Sequence, residues 1–583
     1  MQTTESFVPA EFDGTQWAQI EPLLDELQQR SVATRDELER WLLDRSQLSA
    51  ACSEAQATLY INMTRRTNED KTQQAYATYI ETIPPKMTPR SFELDKRLVE
   101  LSEQVGLSEG EGQRRYEVLL RTTRAEVELF REENVPLETE LAKLKQQNTQ
   151  IVGKQSVEFE GETKTLPQMG VYQERTDRDL RERAWRAVAE RRLEDADKLN
   201  DVYDEMVTKR TKLGTNAGFE NYIGYIYKSK GRFDYGPPEA KAFQDAVAKH
   251  VVPFNQRLAE QRRAAMGLDS LRPWDLSVDA KGRGPLTPFK NGKDLYDRTH
   301  AVFGKLGGPF DSMFASLGEG LGEDGQGPHL DLDSRPGKGP GGYQYMRERM
   351  QMPFIFMNAA GVQRDMETMV HEAGHAFHSL AVVDEPLVEY RHAPIEFCEV
   401  ASMAMELLTM PYWGEFYSDS EDLARARRGQ VEDSIRLLGW IATIDAFQHW
   451  VYANPTHSRD ERSAEWLRLE DRYGHMGRAH VSWDGIDPEI RKTGWQKQSH
   501  LFGVPFYYIE YGIAQLGALG LWLKSLEEGE SAAIAAYNNA IELGGSRPLP
   551  ELFAAADLPF DFGDATIARL VEAAERELEK LPA

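Results

Sequence analysis

Two cysteines, Cys52 and Cys398, are all that 583 residues offer. That excludes a disulfide framework or a cysteine-rich zinc ribbon and suits a reducing compartment. Positive charge is short too: 69 Lys and Arg stand against 95 Asp and Glu, a net charge of −26. With no surplus of cations to displace phosphate counterions, a general nucleic-acid binder is excluded. No stretch reaches about 18 uninterrupted apolar residues, so no membrane span is expected. The start, MQTTESFVPAEFDGTQWAQ, lacks the basic residues and apolar run of a secretory leader, and the expected address is cytoplasmic.

What is present is the composition of a globular protein, 40% hydrophobic and 10% aromatic, in a chain long enough for a large core and more than one domain. From about residue 15 to 265 the text reads as helix. WAQIEPLLDELQQR, RDELERWLLDRSQLSAACSEAQATLY and DRDLRERAWRAVAERRLEDADKLNDVYDEMVTKRTKL place apolar residues at three- and four-residue spacing among charges. Breaks are expected at 83–91, around 157–166 and at 231–240. Between roughly 270 and 345 the chain turns rich in Gly and Pro. GKGPGG at 337–342 has no following Gly-Lys-Ser/Thr and opens no helix, so it reads as a flexible loop rather than a phosphate cradle. PFIFMNA (353–359) reads as a strand, and from 364 the chain is helical again nearly to its end.

MVHEAGHAFHSL (369–380) packs three histidines and a glutamate into eight positions. On a helical wheel Met366, Met369, Val370, Ala373, Ala376, Phe377 and Leu380 share one side, while Arg364, Glu367, Thr368, His371, His375 and His378 share the other. This is either the wet face of an ordinary helix or a metal site. In the second reading His371 and His375, one turn apart, aim at one zinc ion and Glu372 reaches the attacking water. His378 lies two turns from His371, too far along a straight helix to join them. Gly374 costs about 1 kcal/mol against alanine in mid-helix, which suggests that another backbone packs close to that face. A third ligand must come from elsewhere. PIEFCEVASMAMELLTM (394–410) carries Glu396, Glu399 and Glu406 on an otherwise apolar helix. Buried carboxylates need a partner, and a zinc ion is one. The alternative, that all three face solvent, stays open at this point.

METMVHEAGHAFHS, PIEFCEVASMAMELL and SHLFGVPFYYIEYGIAQLGALGLW (499–522), together with RPWDL, PFIFMNA and LGTNAGFENYIGY upstream, resemble the oligoendopeptidase F branch of the thimet oligopeptidase family of zinc metallopeptidases. The resemblance covers most of the chain and is weakest over the first hundred or so residues. It implies a mainly α, gluzincin-type fold: a two-lobed helical shell around a deep substrate channel, with a small antiparallel β-sheet beside the HExxH helix. Residues 1–195 would form a helical N-terminal region making one wall, and 196–583 the catalytic domain. It implies one Zn²⁺ per chain held by His371, His375 and Glu399, with Glu372 as general base and Glu406 orienting a histidine. His500, Tyr508 and Tyr511 match residues that bind substrate and stabilise the oxyanion, with Tyr507 as the other candidate ring. The same motif also reads as a plain aromatic core segment. GKGPGGYQY corresponds in position to a mobile loop near the family's active site, which makes Tyr343 and Tyr345 candidate substrate contacts. If PFIFMNA forms a sheet edge it can pair with an extended peptide, adding Phe356 and Asn358. The function so implied is internal cleavage of short unstructured peptides, with neither nucleic acid nor membrane as partner. Two rivals stand beside it: a helical HExxH metallocarboxypeptidase, for which Arg391 is the cation within reach, and a scaffold whose histidines are decoration.

Overall fold

The computed structural model describes residues 6–107, 109, 112–474, 476, 477 and 479–582. It is mainly α-helical with two small sheets. The expected helices form, and their starts follow local chemistry. Thr34 opens the helix Arg35–Arg65 with a capping box, its hydroxyl accepting from the Glu37 amide while Glu37 accepts from the Thr34 amide. The break expected at 83–91 is a single residue: Pro84 and Pro85 begin the helix Pro84–Gln104, where a missing N–H costs nothing. The long segment 177–213 splits at Glu194–Asp195 into Arg178–Leu193 and Ala196–Asn216.

The chain forms two compact units, each drawn from three separate stretches. One comprises Met1–Glu128, Thr287–Arg427 and Gly517–Phe560; the other Leu129–Leu286, Arg428–Leu516 and Asp561–Ala583. The division expected at 195 falls inside the second unit. That unit holds the hairpin of β1 (Ser156–Phe159) and β2 (Glu162–Thr165), turned by Glu160 and Gly161, both at positive φ. The first unit holds β3 (Leu330–Asp333), β4 (Tyr343–Arg347) and β5 (Met352–Ala359), in the order β3-β5-β4.

Two expectations about this sheet need correction. It is mixed, not antiparallel, because β3 pairs parallel with β5. And β5, the PFIFMNA strand, is central: the Ile355 amide bonds to His329 on one side and β4 covers the other. The run is apolar because both its edges and its faces are enclosed. The edge strands are β3 and β4.

Within the first unit the N-terminal helices grip the segment that joins the two helices of the metal-ligand motif. Ser46 Oγ donates to the Pro386 carbonyl at 3.0 Å and accepts from the Val388 amide at 2.6 Å, and the buried Tyr390 hydroxyl donates to the Arg115 carbonyl at 2.6 Å. Leu387 and Tyr390 belong to the same core as Leu38, Trp41 and Leu98.

Candidate metal centre

The HExxH helix runs Gln363–Ala381 and starts where Asp365 accepts the amides of Ala360 and Val362. Its partner, Ile395–Leu408, follows Pro394. The two pack backbone to backbone at Gly374: a Cβ built there would stand 2.6 Å from both the Ala401 oxygen and the Ser402 Cα. Glycine is the only residue that allows this approach, which places Glu399 opposite the histidines. From the other side the Tyr537 hydroxyl, on the helix Glu530–Ile541, donates to the Ala401 carbonyl at 3.0 Å.

The donor atoms converge. Nε2 of His371 and Nε2 of His375 lie 3.5 and 3.8 Å from the same oxygen of Glu399, Oε2. The rings are 5.0 Å apart and nearly perpendicular, and the three donors fall within 4.8 Å of one another. These separations are too long for good hydrogen bonds. They suit ligands sharing one ion, since donors each ~2.1 Å from a tetrahedral zinc stand roughly 3.4 Å apart. The outer ring nitrogens are tethered: Nδ1 of His371 meets Glu406 Oε1 at 2.6 Å, and His375 bonds the Cys398 main chain. Both Nε2 atoms face the shared point, and the tethers orient the two rings toward it.

The electrostatics call for a cation. Burial pushes the His371 imidazole down, but the bond and charge of Glu406 and the charge of Glu399 overcome it, leaving the group at about 9. Burial drives His375 well below its ordinary value. Glu372, 8% exposed, is pushed up to about 7 by burial, against the pull of His371 and of a hydrogen bond from the Gln344 amide of β4. The residues present fit zinc: His375 is held neutral, and the carboxylates of Glu399 and Glu406 that favour a proton on His371 would equally favour a metal ion in its place.

The face holding His371, Glu372 and His375 is not a wet one. Glu396 and Glu399 are buried, and so is His378, whose Nε2 has no partner and whose imidazole burial pushes down to about 4.

Other expected site residues divide. Phe356 is wholly buried and stacks on Tyr343, whose hydroxyl bonds Thr64 at 2.6 Å, so the Phe356 side chain is packing. Asn358 spends both amide protons on the loop carbonyls of Gly339 and Gly341, at 2.7 and 2.8 Å. The loop expected to be flexible is tied down there and again to the Arg35–Arg65 helix end, where Gly339 donates to Thr64 and Gly337 accepts from Thr67. It is also held by buried Lys338, which donates to the carbonyls of Asp331 and Asp333 and pairs with the Asp331 carboxylate. Tyr345 is half-buried. Arg391 is committed to the Glu385 and Glu348 carbonyls and the Glu348 carboxylate.

His500, Tyr507, Tyr508 and Tyr511 cluster in the second unit. The imidazole lies 4.9, 5.9 and 6.0 Å from the rings of Tyr508, Tyr507 and Tyr511. Gln498, which no sequence signal singled out, bonds both His500 and Tyr508. Buried Arg210 holds the short helix Ser499–Gly503, donating to the carbonyls of Leu501 and Phe502. Phe506 sits in a left-handed conformation (φ 61°), its amide on Gln448 and its carbonyl on Arg232.

Two histidines and a glutamate on two close-packed helices, with the HExxH glutamate beside them, form a mainly helical protein's candidate metal site. The chain belongs to peptidase family M3, whose model matches residues 171–291 and 322–571. An oligoendopeptidase F homolog of Mycoplasma pneumoniae is 24% identical over 415 residues, 68% of this chain and 64% of that protein. Oligopeptidase PepF of Bacillus subtilis is 24% identical over 304 residues, 52% of this chain and 42% of its own length. The chain thus spans less than two thirds of these curated relatives. Among solved structures, Pz peptidase A with an inhibitor superposes with a TM-score of 0.85 at 29% identity, covering 97% of this chain and 96% of that one. An oligoendopeptidase F structure gives 0.86 at 27%, covering 99% of both.

Proposed function

We propose that this protein is a zinc-dependent oligoendopeptidase that hydrolyses internal bonds of short, unstructured peptides. The observation that carries the reading is the convergence of His371 Nε2, His375 Nε2 and Glu399 Oε2, with Glu372 adjacent. Zinc bound there would supply Lewis-acid polarisation of a carbonyl and a lowered pKa for water. Glu372 takes the proton of the attacking water and returns it to the leaving amine. Burial fits it for this by holding its proton affinity near neutrality. Glu406 keeps His371 in its metal-binding tautomer. By the family resemblance His500 would donate to the peptide, and Tyr511 would be the phenol for the oxyanion in place of Tyr508, whose proton goes to Gln498. A peptide backbone would pair along β4, at Gln344, and Tyr345 and Tyr507 remain candidate contacts.

The carboxypeptidase reading loses its cation, since Arg391 is spent on Glu348 and Glu385. The scaffold reading leaves the buried carboxyls of Glu372 and Glu399 without a purpose. Among the described residues no helix is long and apolar enough to cross a membrane. A cytoplasmic address rests on the two free cysteines.

The test is a quenched fluorescent peptide of about ten residues, a length suited to extended strand pairing, blocked at both ends. Wild type should bind one zinc and cut internally; Glu372→Gln should keep the zinc and lose nearly all activity. Zinc-loaded wild type that cuts only peptides with free C-termini would restore the carboxypeptidase, and absence of bound zinc would end the metallopeptidase reading.

A further inference from the structure

Gln498 precedes the helix Ser499–Gly503 and makes three side-chain hydrogen bonds. Trp440 Nε1 donates to its Oε1 at 3.1 Å, the Tyr508 hydroxyl donates to the same oxygen at 3.0 Å, and its Nε2 lies 2.7 Å from Nδ1 of His500. A glutamine amide is ordinarily ambiguous between its two ends. Here the neighbours settle it. An indole N–H only donates, so the oxygen faces Trp440 and the NH₂ faces His500. Nδ1 of His500 must then accept, which puts the ring's proton on Nε2. An imidazolium would set Nδ1–H against the amide protons, donor against donor, and burial acts in the same direction by lowering the proton affinity of the ring.

The same geometry limits Tyr508. A phenol has one proton, and this one is given to Oε1, whose two lone pairs are filled by Trp440 and Tyr508. What holds Gln498 in place is rigid: the carbonyls of Leu501 and Phe502 are pinned by Arg210, which is anchored in turn on Tyr452.

We propose that Gln498 is a positioning residue that fixes His500 as the neutral Nε2–H tautomer, a permanent hydrogen-bond donor, and makes Tyr508 a brace for that arrangement rather than an oxyanion donor. What His500 donates to rests on the peptidase reading above; the tautomer does not.

The experiment uses the full-length, zinc-loaded protein labelled with ¹⁵N-histidine. Two-bond proton–nitrogen correlations report which ring nitrogen of each of the 12 histidines is protonated, and His500→Asn assigns the resonances of that ring. At pH 7 His500 is expected with a protonated Nε2 and a bare Nδ1. Gln498→Glu, which keeps an acceptor for Trp440 but replaces the donor to His500, is expected to bring a proton to Nδ1. A wild-type Nδ1–H or doubly protonated ring overturns the proposal, as does a Gln498→Glu spectrum identical to wild type. On the blocked peptide, Tyr508→Phe should lower kcat by less than about tenfold, because losing a true oxyanion donor typically costs about 10²–10³. A loss in that larger range would overturn the brace. If the tautomer is as stated and Tyr508→Phe is mild relative to Tyr511→Phe, the proposal stands. If the wild type shows the tautomer but cuts no peptide at all, the tautomer assignment still stands and the peptidase reading is what fails.

Discussion

Gly374→Ala is the sharpest perturbation available, because it adds one methyl group at the contact between the two ligand-bearing helices without removing any ligand. The new Cβ would lie 2.6 Å from the Ala401 oxygen and the Ser402 Cα. Atoms in ordinary contact stand about 3.5–4.0 Å apart, so the two helices must part by roughly 1 Å. Backbone on both sides leaves no flexible side-chain end to give way. Overpacking of this kind costs about 1–3 kcal/mol, against about 1 kcal/mol gained in helix propensity. The net stability change is therefore modest, and the larger effect is geometric. Ligand distances at a metal site are held within about 0.2 Å, and Glu399 rides on the helix that is displaced. Zinc affinity, read by competition with a chromophoric chelator, should fall by at least about tenfold, the lower end of losses seen when support to a ligand is disturbed. Gly429→Ala is the control, a glycine within the Ser420–Ala453 helix with nothing within 4 Å of its new Cβ. It should leave zinc binding unchanged and melt at or above the wild-type temperature. If Gly374→Ala binds zinc as tightly as wild type and is stabilised, the close approach of the two helices is not what places Glu399.

Glu406→Gln should keep the fold and weaken zinc binding by about 10–100-fold, since the 2.6 Å bond that orients His371 loses its charge; equilibrium dialysis against buffered zinc would show it. His378→Phe addresses acid stability. The buried imidazole titrates at about 4 in the fold and about 6.5 in the unfolded chain, so the unfolded state binds the proton first. Its contribution is fully present above pH 6.5 and is lost as pH falls toward 4, about 3 kcal/mol in all. Denaturant midpoints at pH 7.5 and 4.5 should lie closer together in the variant than in wild type, and equal gaps would show that His378 is not a source of acid lability.

Much of this centre was legible in the chain because its parts are local or chemically insistent. The spacing of His371 and His375 needs only a helix, and Gly374 in mid-helix announced a close neighbour that proved to be the helix carrying Glu399. Buried glutamates on an apolar stripe called for a cation. What stayed hidden depends on partners distant in sequence. Gln498 looks like any polar residue until Trp440 and His500 stand beside it. PFIFMNA is as apolar at the centre of a sheet as a strand run can be, and only β3, more than twenty residues upstream, shows that its edge is taken. The glycines of 337–342 suggested mobility, whereas Asn358, Lys338 and the end of the Arg35–Arg65 helix fasten them. The interleaving of the two units is largely hidden in composition, because three of the five boundaries, 128/129, 427/428 and 516/517, fall inside helices; only 286/287 lies in the Gly- and Pro-rich stretch.

That interleaving bears on how the protein is made. The Glu399 helix is closed from behind by Tyr537, and its unit is not finished before residue 560. A ribosome adds roughly 5–20 residues per second, so the Ala401 carbonyl waits on the order of ten seconds or more for the hydroxyl that covers it. Through that interval the nascent chain displays an apolar helix with no partner across its back, and the other unit likewise lacks its final stretch. Assembly is therefore a late event for both, and a chain released early, even by fifty residues, would leave the ribosome with both cores open.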